Sequence, residues 1–248
     1  MDPYSIVFQR RSIRNYNQDP LDKNTLNKIK SQLKTIKPLY KDIKTEFKIL
    51  STENVNQRMM KKAPHYIAAF SEVKEGYLTN IGFMLQQMDL YLSMKGIGTC
   101  WQGIPSIKKD VQGSNGLKFI ILMAFGKSGD NIHRQDISEF KRKPFHEISD
   151  NAEVQEIIEA ARMAPSATNS QAWYFTGDND VINAFIVKPN VLKRVIAGKY
   201  PPLDMGIALY HLYIAAEHFG RKVTFTFDEG TKENSPQNTE YVISLKLD

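Results

Sequence analysis

Three arginines and a hydroxyl stand close together near the start of the chain, where they could bind a phosphate group. The segment reads Arg10-Arg11-Ser12-Ile13-Arg14. In an extended conformation side chains two residues apart share a face, so Arg10, Ser12 and Arg14 are expected to point together. Arginine binds phosphate through bidentate, charge-assisted hydrogen bonds. A solvated basic patch is the alternative interpretation of this motif taken alone.

A second candidate site is a loop of small and polar residues, residues 164–173, which read APSATNSQAW. Small residues would let a planar ring approach the backbone, and Ser166, Asn169 and Gln171 offer hydrogen-bond donors and acceptors at the edge of such a ring. The same residue types are common in ordinary turns, and Trp173 in this pattern is more typical of a core than of a ligand site.

A third candidate is the glycine-rich segment 96–103, GIGTCWQG. Its glycines permit positive backbone angles and the close approach of a cofactor, although a helix C-cap would use them as well. The sequence has no dinucleotide fingerprint, phosphate loop, HExxH or GxSxG motif. Cys100 is the single cysteine, which excludes an intrachain disulfide, and packing is favoured over catalysis for it. Any redox chemistry must therefore come from a bound organic cofactor.

An internal repeat predicts the elements that position these residues. Residues 77–96 and 201–220 both show apolar residues at helical spacing, and the glycines at 82 and 96 align with those at 206 and 220 at a constant shift of 124. Each segment is expected to be a helix with one apolar stripe that ends at a glycine. A β-type run follows each helix, over residues 119–125 and 241–247.

The repeat extends upstream of the central helices. Asp22 and Asp150 are candidate N-caps of two further helices, the second with Glu153 as a capping box, and Pro38 or Pro165 stops each pattern. Each half is thus expected to read helix, strand, long central helix, strand. The polar bend 127–143 is the natural junction, so the predicted halves are 1–135 and 136–248, packed as one body with their central helices in a shared core.

Composition and charge favour an anionic ligand without identifying it. The chain has 248 residues, 42% of them hydrophobic, a formal net charge of +6 and an isoelectric point near 9.2. Nucleic acid, phosphate cofactors and acidic metabolites all fit a basic chain. The lysines are dispersed, with no aromatic platform or zinc-finger spacing, so no nucleic-acid partner is expected. The apolar runs are too short to span a bilayer and no signal peptide is recognisable, so we expect a cytoplasmic protein without membrane contact.

Taken in order, the motifs RRSIRNY, GIGTCWQG, FGK with a following Arg134, and APSATNSQAW resemble the nitroreductase family of FMN enzymes over nearly the whole chain. In that family two subunits exchange elements and FMN lies between them. Here the motifs are divided between the halves, because the first half has Lys37-Pro38-Leu39-Tyr40 in place of the loop and the second has residues 142–146, RKPFH, in place of the arginine clamp. The resemblance implies an α+β, nitroreductase-like fold of two pseudo-symmetric halves, each with a central helix packed on an antiparallel-type sheet. It is similar to a single-chain branch in which a dimer has been fused, with one composite FMN site, so we expect a monomer that acts as a pseudo-dimer.

The resemblance also implies a role for each motif residue. Arg10, Ser12 and Arg14 would surround the phosphate, ribityl chain and pyrimidine edge of FMN, with Arg11 beside them. The remaining implied contacts are Lys127 and Arg134 at the phosphate; Pro165, Ser166, Ala167, Asn169 and Gln171 at the ring; and Thr99, Cys100, Trp101 and Gln102 at its N5 and O4 side.

By the same resemblance the protein is expected to be an FMN-dependent NAD(P)H oxidoreductase. Such enzymes pass a hydride from NADH or NADPH to flavin N5 and then reduce a second substrate in the same pocket, here a nitroaromatic, a quinone or a similar electron-poor small molecule. Arg14 is the candidate for tuning the flavin, since positive charge near N1 and O2 favours the anionic reduced ring. No catalytic side chain and no metal are expected.

Two alternatives stay open from the sequence. The chain could bind flavin as a sensor or store without turnover, or it could be an anion or nucleic-acid binder without redox chemistry. The natural electron acceptor, the choice between NADH and NADPH, the role of the second crevice and any higher oligomeric state are not determined by these motifs.

Overall fold

The computed structural model describes residues 2–57, 62–188, 198 and 200–248. Contacts divide the chain into two compact units, Met1–Glu139 and Phe140–Asp248, named here unit 1 and unit 2. The boundary between these units lies within the polar bend 127–143.

Unit 1 is built on an antiparallel sheet that the long helix α3 packs against. Its helices are Pro3–Val7 (α1), Lys23–Leu33 (α2) and Tyr77–Met94 (α3), and its strands are Thr45–Ser51 (β1), Val55–Asn56 (β2), His65–Ser71 (β3), Gly98–Gln102 (β4), Ser106–Ile107 (β5) and Lys118–Gly126 (β6). The strand order of the main sheet is β1-β3-β6-β4, and β2 pairs with β5 in a short ribbon. The core lies where buried side chains of β3 and β6 meet those of α3.

Unit 2 has a sheet with the same connectivity. Its helices are Gln155–Arg162 (α4), Tyr200–His218 (α5) and Glu229–Glu233 (α6), and its strands are Trp173–Gly177 (β7), Val181–Val187 (β8), Val223–Thr226 (β9) and Thr239–Leu247 (β10). The order β7-β8-β10-β9 is antiparallel throughout. In both main sheets the strands, numbered along the chain, therefore stand in the order first, second, fourth, third, with the long helix between the second and third.

The two long helices end as their glycines predict. At the end of α3 the N–H of Ile97 donates to the carbonyl of Leu92 at 2.9 Å, and Gly96 has a φ of 71°. The N–H of Gly96 also donates to the carbonyl of Ser93. At the end of α5, Gly220 has a φ of 75° and the same two hydrogen bonds are formed, from Gly220 to Glu217 and from Arg221 to Ala216. Both ends are Schellman motifs, in which the left-handed C′ position favours glycine. The predicted runs 119–125 and 241–247 are also confirmed, as β6 and β10.

The prediction of one apolar stripe per long helix is wrong. Most residues of α3 and α5 are buried, on all sides of each helix, including polar Asn80, Asp89 and Asp204. A helix that is covered all round is central rather than amphipathic. No helix among the described residues is long and apolar enough to cross a membrane.

One of the two predicted N-caps is correct. Asp22 caps α2 by accepting the N–H of Thr25 at 2.9 Å. Asp150 does not cap α4, which begins after Val154 with no side-chain cap. Ser149 is held in a bridge with Phe175 of β7, whose carbonyl accepts the Ser149 hydroxyl at 2.8 Å, and the helix begins only after this contact.

The predicted pattern of two strands per half is incomplete. It has one strand before each long helix where the main sheet has two, and it places no strand at residues 98–102, which form β4. Strand β3 is buried along its whole length and β4 has only five residues, so neither has the alternating pattern of a half-exposed strand.

Candidate functional site

The arginine segment of unit 1 lies alongside β4. Ser12 forms a parallel bridge with Thr99, and the N–H of Ile13 donates to the carbonyl of Thr99 at 2.8 Å. A Cβ on Gly98 would lie 2.8 Å from Cγ1 of Ile13. Gly98 therefore allows Ile13 of the chain itself to approach β4 closely. This contact places the arginines beside the strand that carries Cys100 to Gln102.

Arg10 is buried in an ion pair with Asp89 of α3. Its Nε lies 2.9 Å from Oδ2 of Asp89, and its Nη2 donates to the hydroxyl of Ser12 at 3.2 Å. Asp89 also accepts hydrogen bonds from the hydroxyl of Thr99 and from Nε2 of Gln86, the latter at 3.1 Å. Arg10 is only 1% exposed, so its charge is balanced inside unit 1.

Sequence reasoning missed Asp89, although a signal for it exists. Asp89 follows Leu85 by four residues and precedes Leu92 by three, so helical spacing alone places it with these leucines on the buried side of α3. A carboxylate there needs a buried cationic or hydrogen-bonding partner, since ionised groups are seldom buried unpaired.

Arg134 adds to the positive charge around Arg10. The backbone N–H of Arg134 donates to the carbonyl of Gln9 at 2.7 Å, and its guanidinium donates to the carbonyl of Arg10. Burial, together with the charges of Arg10 and Arg11, lowers the pKa of Arg134 to about 10. Cations whose charges oppose one another in a partly buried place favour the binding of an anion.

Arg14 and Arg11 are exposed and line an open pocket of about 440 Å³ together with Ser12, Asp130 and Asn131. Within the described part of the chain Arg14 forms no ion pair, and Nη1 of Arg11 lies 3.5 Å from the carbonyl of Asn131. The three side chains were expected to share one face. In the structure Arg10 is buried in the core, whereas Arg14 faces the pocket and Ser12 lies between them.

Lys127 follows β6 and has an exposed side chain. Its carbonyl accepts the N–H of Asn17 at 2.9 Å, which ties the chain after the arginine segment to the end of β6. The structure thus brings the backbone of Lys127 to the arginine segment and leaves its ammonium group in solvent.

Cys100 packs in the sheet of unit 1. It is 2% exposed, and burial raises the pKa of its thiol although Arg14 and Arg10 act in the opposite direction. A buried thiol with a raised pKa is a poor nucleophile, which agrees with a packing role.

Trp101 and Gln102 present polar atoms that lack partners. The indole Nε1 of Trp101 and the Oε1 of Gln102 are buried and have no hydrogen-bond partner among the described residues. Unsatisfied buried polar groups each cost about 1–3 kcal/mol and call for an explanation. Consecutive side chains of a strand point to opposite faces, so each of these orphaned atoms is a separate candidate for the hydrogen-bonding edge of a ligand whose anionic group meets the cationic cluster.

The loop of unit 2 has a strained backbone. Thr168, Asn169 and Gln171 have φ angles of 53°, 57° and 47°, in the left-handed region that favours glycine. The N–H of Gln171 donates to the hydroxyl of Ser166 at 3.0 Å and closes the turn. Such backbone persists only where its surroundings impose it, and it is concentrated at functional sites. Pro165, Ser166 and Ala167 are half-buried in this loop.

The side chains of Asn169 and Gln171 are bound within unit 2. Arg142 donates to Oδ1 of Asn169 at 2.6 Å, and Nδ2 of Asn169 donates to the carbonyl of Lys141 at 3.0 Å. The N–H of Lys143 donates to Oε1 of Gln171 at 2.8 Å, and Nε2 of Gln171 donates to the carbonyl of Asn169 at 3.2 Å. The segment that replaces the arginine clamp in this half therefore holds the loop in place.

Asp204 of α5 supports the loop from the core, and sequence reasoning missed it too. Both carboxyl oxygens accept the N–H of Ala167, at 3.1 and 3.0 Å, and the hydroxyl of Ser170 lies 3.5 Å away. Burial raises the pKa of Asp204 to about 8. Trp173, at the end of the loop, is fully buried, which confirms it as a core residue.

The described residues contain no group of three or more His, Cys, Asp or Glu side chains that could hold a metal ion.

Comparisons with known proteins identify relatives of the chain. The sequence profile of the family described as "Putative TM nitroreductase" matches residues 2–216. A crystal structure titled a putative nitroreductase from Thermotoga maritima is 23% identical, with a TM-score of 0.69, over 100% of this chain and 94% of that one. The likeness shows that the chain has this mixed α/β fold.

Two further solved structures each match part of the chain. A nitroreductase family protein from Clostridium difficile is 15% identical with a TM-score of 0.47, over 59% of this chain and 96% of its own. A nitroreductase with bound FMN from Bacteroides fragilis is 15% identical with a TM-score of 0.40, over 49% of this chain and 86% of its own. No curated protein matches the chain.

Proposed function

Because the chain belongs to the family of putative TM nitroreductases, we propose that it is an FMN-dependent NAD(P)H oxidoreductase that reduces electron-poor small molecules such as nitroaromatics or quinones. The observation that carries this proposal is the cationic cluster of unit 1 beside β4, where Trp101 and Gln102 present unpartnered polar atoms. These residues fit FMN, which has a phosphate at one end and a hydrogen-bonding ring edge at the other.

We place the phosphate on the arginine segment. Arg11, Ser12 and Arg14 offer exposed or half-exposed donors around one pocket, and Arg134 has a pKa that an adjacent anion would restore. Arg10, already paired with Asp89, contributes less free charge and holds Ser12 through a hydrogen bond. Lys127 lies near this segment by its backbone and adds a mobile positive charge.

We propose two sets of residues, one within each unit, as candidates for contact with a flavin ring. In unit 1 these are Thr99 to Gln102 of β4, where Trp101 has an orphaned donor and Gln102, on the other face of the strand, an orphaned acceptor. In unit 2 they are Pro165, Ser166, Ala167 and Asn169, whose small side chains and strained backbone form a rigid turn. Gln171, which is 2% exposed and bonded within unit 2, acts by keeping that turn in shape.

We further propose that the two units are duplicated halves of a fused chain, which would act as a monomer. Two observations support this. Both main sheets have the same strand order, and the two long helices are related by a shift of 124 residues and end in the same glycine motif. The clamp and the loop are each present in only one half, so a single FMN per chain is the expected stoichiometry.

FMN, when bound, supplies the hydride chemistry between NADH or NADPH and the acceptor. The chain itself would bind the phosphate and orient the ring. Arg14 is the residue whose positive charge we expect to stabilise the reduced anionic ring, because it is exposed at the pocket and unpaired among the described residues. None of the described side chains is needed as an acid or base if protons come from solvent.

The test is cofactor content in the purified chain. We expect a yellow protein with about one FMN per chain that NADH or NADPH bleaches and that a quinone reoxidises. Arg14→Ala should release FMN, whereas Lys109→Ala, which removes an exposed positive charge elsewhere in unit 1, should not. A chain that stays colourless after incubation with FMN would refute the proposal.

The two alternatives make different predictions. A flavin sensor or store would bind FMN, but NAD(P)H would not reduce it at a rate that sustains turnover. An anion or nucleic-acid binder would show steeply salt-dependent binding to DNA or RNA. Loss of flavin retention in Arg14→Ala with unchanged affinity for nucleic acid would reject that second alternative.

A further inference from the structure

The side chain of Asn80 in α3 accepts hydrogen bonds from the backbone of a turn in unit 1. Its Oδ1 accepts the N–H groups of Leu39 and Tyr40, at 2.9 and 3.0 Å, just after Pro38. Asn80 is fully buried, and its Nδ2 has no hydrogen-bond partner among the described residues. The amide therefore provides the acceptor that the turn needs and leaves a donor unsatisfied.

Asp204 of α5 has the corresponding position in unit 2. It stands 124 residues after Asn80, the shift that relates the glycines of the two long helices. It accepts the N–H of Ala167, which is two residues after Pro165 as Tyr40 is two residues after Pro38. The same backbone contact is thus made by an amide in one unit and by a titratable carboxyl in the other.

The turn that Asp204 holds is the more strained of the two. Thr168, Asn169 and Gln171 all have left-handed backbone, whereas none of residues 37–44 is among the described residues with positive φ. Non-glycine residues in that region cost on the order of 1–3 kcal/mol each and need contacts that impose the conformation. The buried contacts of Asp204 with Ala167 and Ser170 are such contacts from the core side.

We propose that Asp204 is the positioning residue of the loop 165–171 and that it makes the conformation of this loop depend on a proton, a dependence that Asn80 cannot give to its own turn. A neutral carboxyl can accept the N–H of Ala167 at no electrostatic cost. An ionised carboxyl at this buried place would have to be paired or hydrated, and the loop would have to open to hydrate it.

No charged side chain among the described residues of unit 2 compensates a negative charge on Asp204. Within the described part of unit 2 it forms no ion pair, and no charged side chain contributes to its pKa. Tyr200, on the same helix, is the titratable neighbour that Asp204 influences: burial raises the pKa of Tyr200, and the carboxyl raises it further. On α4, which packs against α5, Glu159 and Arg162 are paired with each other at 2.6 Å.

The direction of the pH dependence follows from burial. The pKa of Asp204 is about 8 in the folded chain and 3.8 as its ordinary value. Between these values the folded state binds one proton more than the unfolded state, so the contribution of Asp204 to stability is full below about pH 4 and is lost as the pH rises to about 8. Above that pH the ionised carboxyl favours loop opening.

The first experiment compares unfolding equilibria of the full chain between pH 5 and 9 in three forms. Asp204→Asn keeps an acceptor and removes the titration. The ratio of the wild-type unfolding constant to that of Asp204→Asn should rise up to about tenfold per pH unit until about pH 8 and then level off. Asn80→Asp, the matched exchange in unit 1, should acquire a similar dependence. Parallel curves for wild type and Asp204→Asn would overturn the proton linkage.

The second experiment tests positioning directly by amide hydrogen exchange. In wild type the peptide covering 165–171 should exchange faster above about pH 8 than the intrinsic pH effect predicts, while the peptide covering 37–44 should not. Asp204→Asn should remove the excess, and Asp204→Leu, which has no acceptor, should show fast exchange at every pH. Equal exchange in wild type and Asp204→Leu would overturn the positioning role.

A third measurement needs no variant, so it remains decisive if the substitutions prevent folding. Carboxyl carbon NMR of the wild-type chain with labelled aspartate should show one resonance that titrates near pH 8. If every aspartate resonance titrates near its ordinary value, the proposal fails.

The consequence for cofactor binding rests on the proposed function. If the loop contacts FMN, retention of FMN should decrease above about pH 8 in wild type and not in Asp204→Asn. The two ideas fail separately. A colourless chain with the predicted exchange behaviour would refute the flavin assignment alone, whereas a yellow chain whose loop ignores Asp204 would refute the positioning role alone.

Discussion

The buried ion pair between Asp89 and Arg10 allows the sharpest stability prediction. Their side chains are 0% and 2% exposed, and Thr99 and Gln86 also donate to the carboxylate. Replacement of Asp89 by Asn would leave the Arg10 charge uncompensated beside Arg134. Removing one partner of a buried pair costs about 3–5 kcal/mol.

This cost converts to a large thermal shift. For a chain of this size 1 kcal/mol corresponds to roughly 2–4 °C in Tm, so Asp89→Asn should lower the Tm by about 6–20 °C. The control is Asp42→Asn, which breaks the pair between Asp42 and Lys74, 77% and 38% exposed, and should leave the Tm nearly unchanged because solvent screens this pair.

A double-mutant cycle isolates the pair. Arg10→Met with Asp89→Leu removes both charges, so the double variant should be destabilised by much less than the sum of the two single variants. Thermal melts monitored by circular dichroism, on chains stripped of flavin, provide the assay. The reasoning is refuted if Asp89→Asn costs no more than Asp42→Asn, or if the two single effects simply add.

Two further predictions concern the strand beside the arginines. Gly98→Ala would press a methyl group against Ile13, so it should destabilise the chain by about 1–3 kcal/mol and release FMN. Gly129→Ala, whose new methyl group meets nothing within 4 Å, should do neither. Equal melting curves and flavin contents for both variants would contradict this prediction. Cys100→Ala should keep NAD(P)H oxidation. The wild-type thiol should react with a disulfide reagent far more slowly in the folded chain than in the unfolded chain, because burial raises its pKa. Rapid labelling of the folded chain would show that the thiol is accessible.

Local sequence predicts the parts of the fold that depend on neighbouring residues. The long helices and their terminal glycines follow from spacing and from the left-handed C′ position, which involves residues within one turn. The strands β6 and β10 follow from dense apolar runs. The cap at Asp22 is also a local hydrogen bond, and it is present.

Local sequence does not reveal hydrogen-bond partners that are distant in the chain. Asp150 resembles an N-cap, but contacts of its neighbour Ser149 with β7 delay the helix. Asn169 and Gln171 offer hydrogen-bonding groups in the sequence, and the structure commits them to residues 141–143. Spacing cannot reveal this, because the competing partner is chosen by packing.

By itself the sequence determined the candidate binding segments, namely the arginines, the segment 96–103 and the loop 164–173, together with the repeat that relates the two long helices. Only the tertiary structure decided that Arg10 is neutralised by Asp89 and that Asp204 lies beneath Ala167. The physical reason is that the charge state and hydrogen bonding of a side chain depend on burial and on partners that folding brings close from distant parts of the chain.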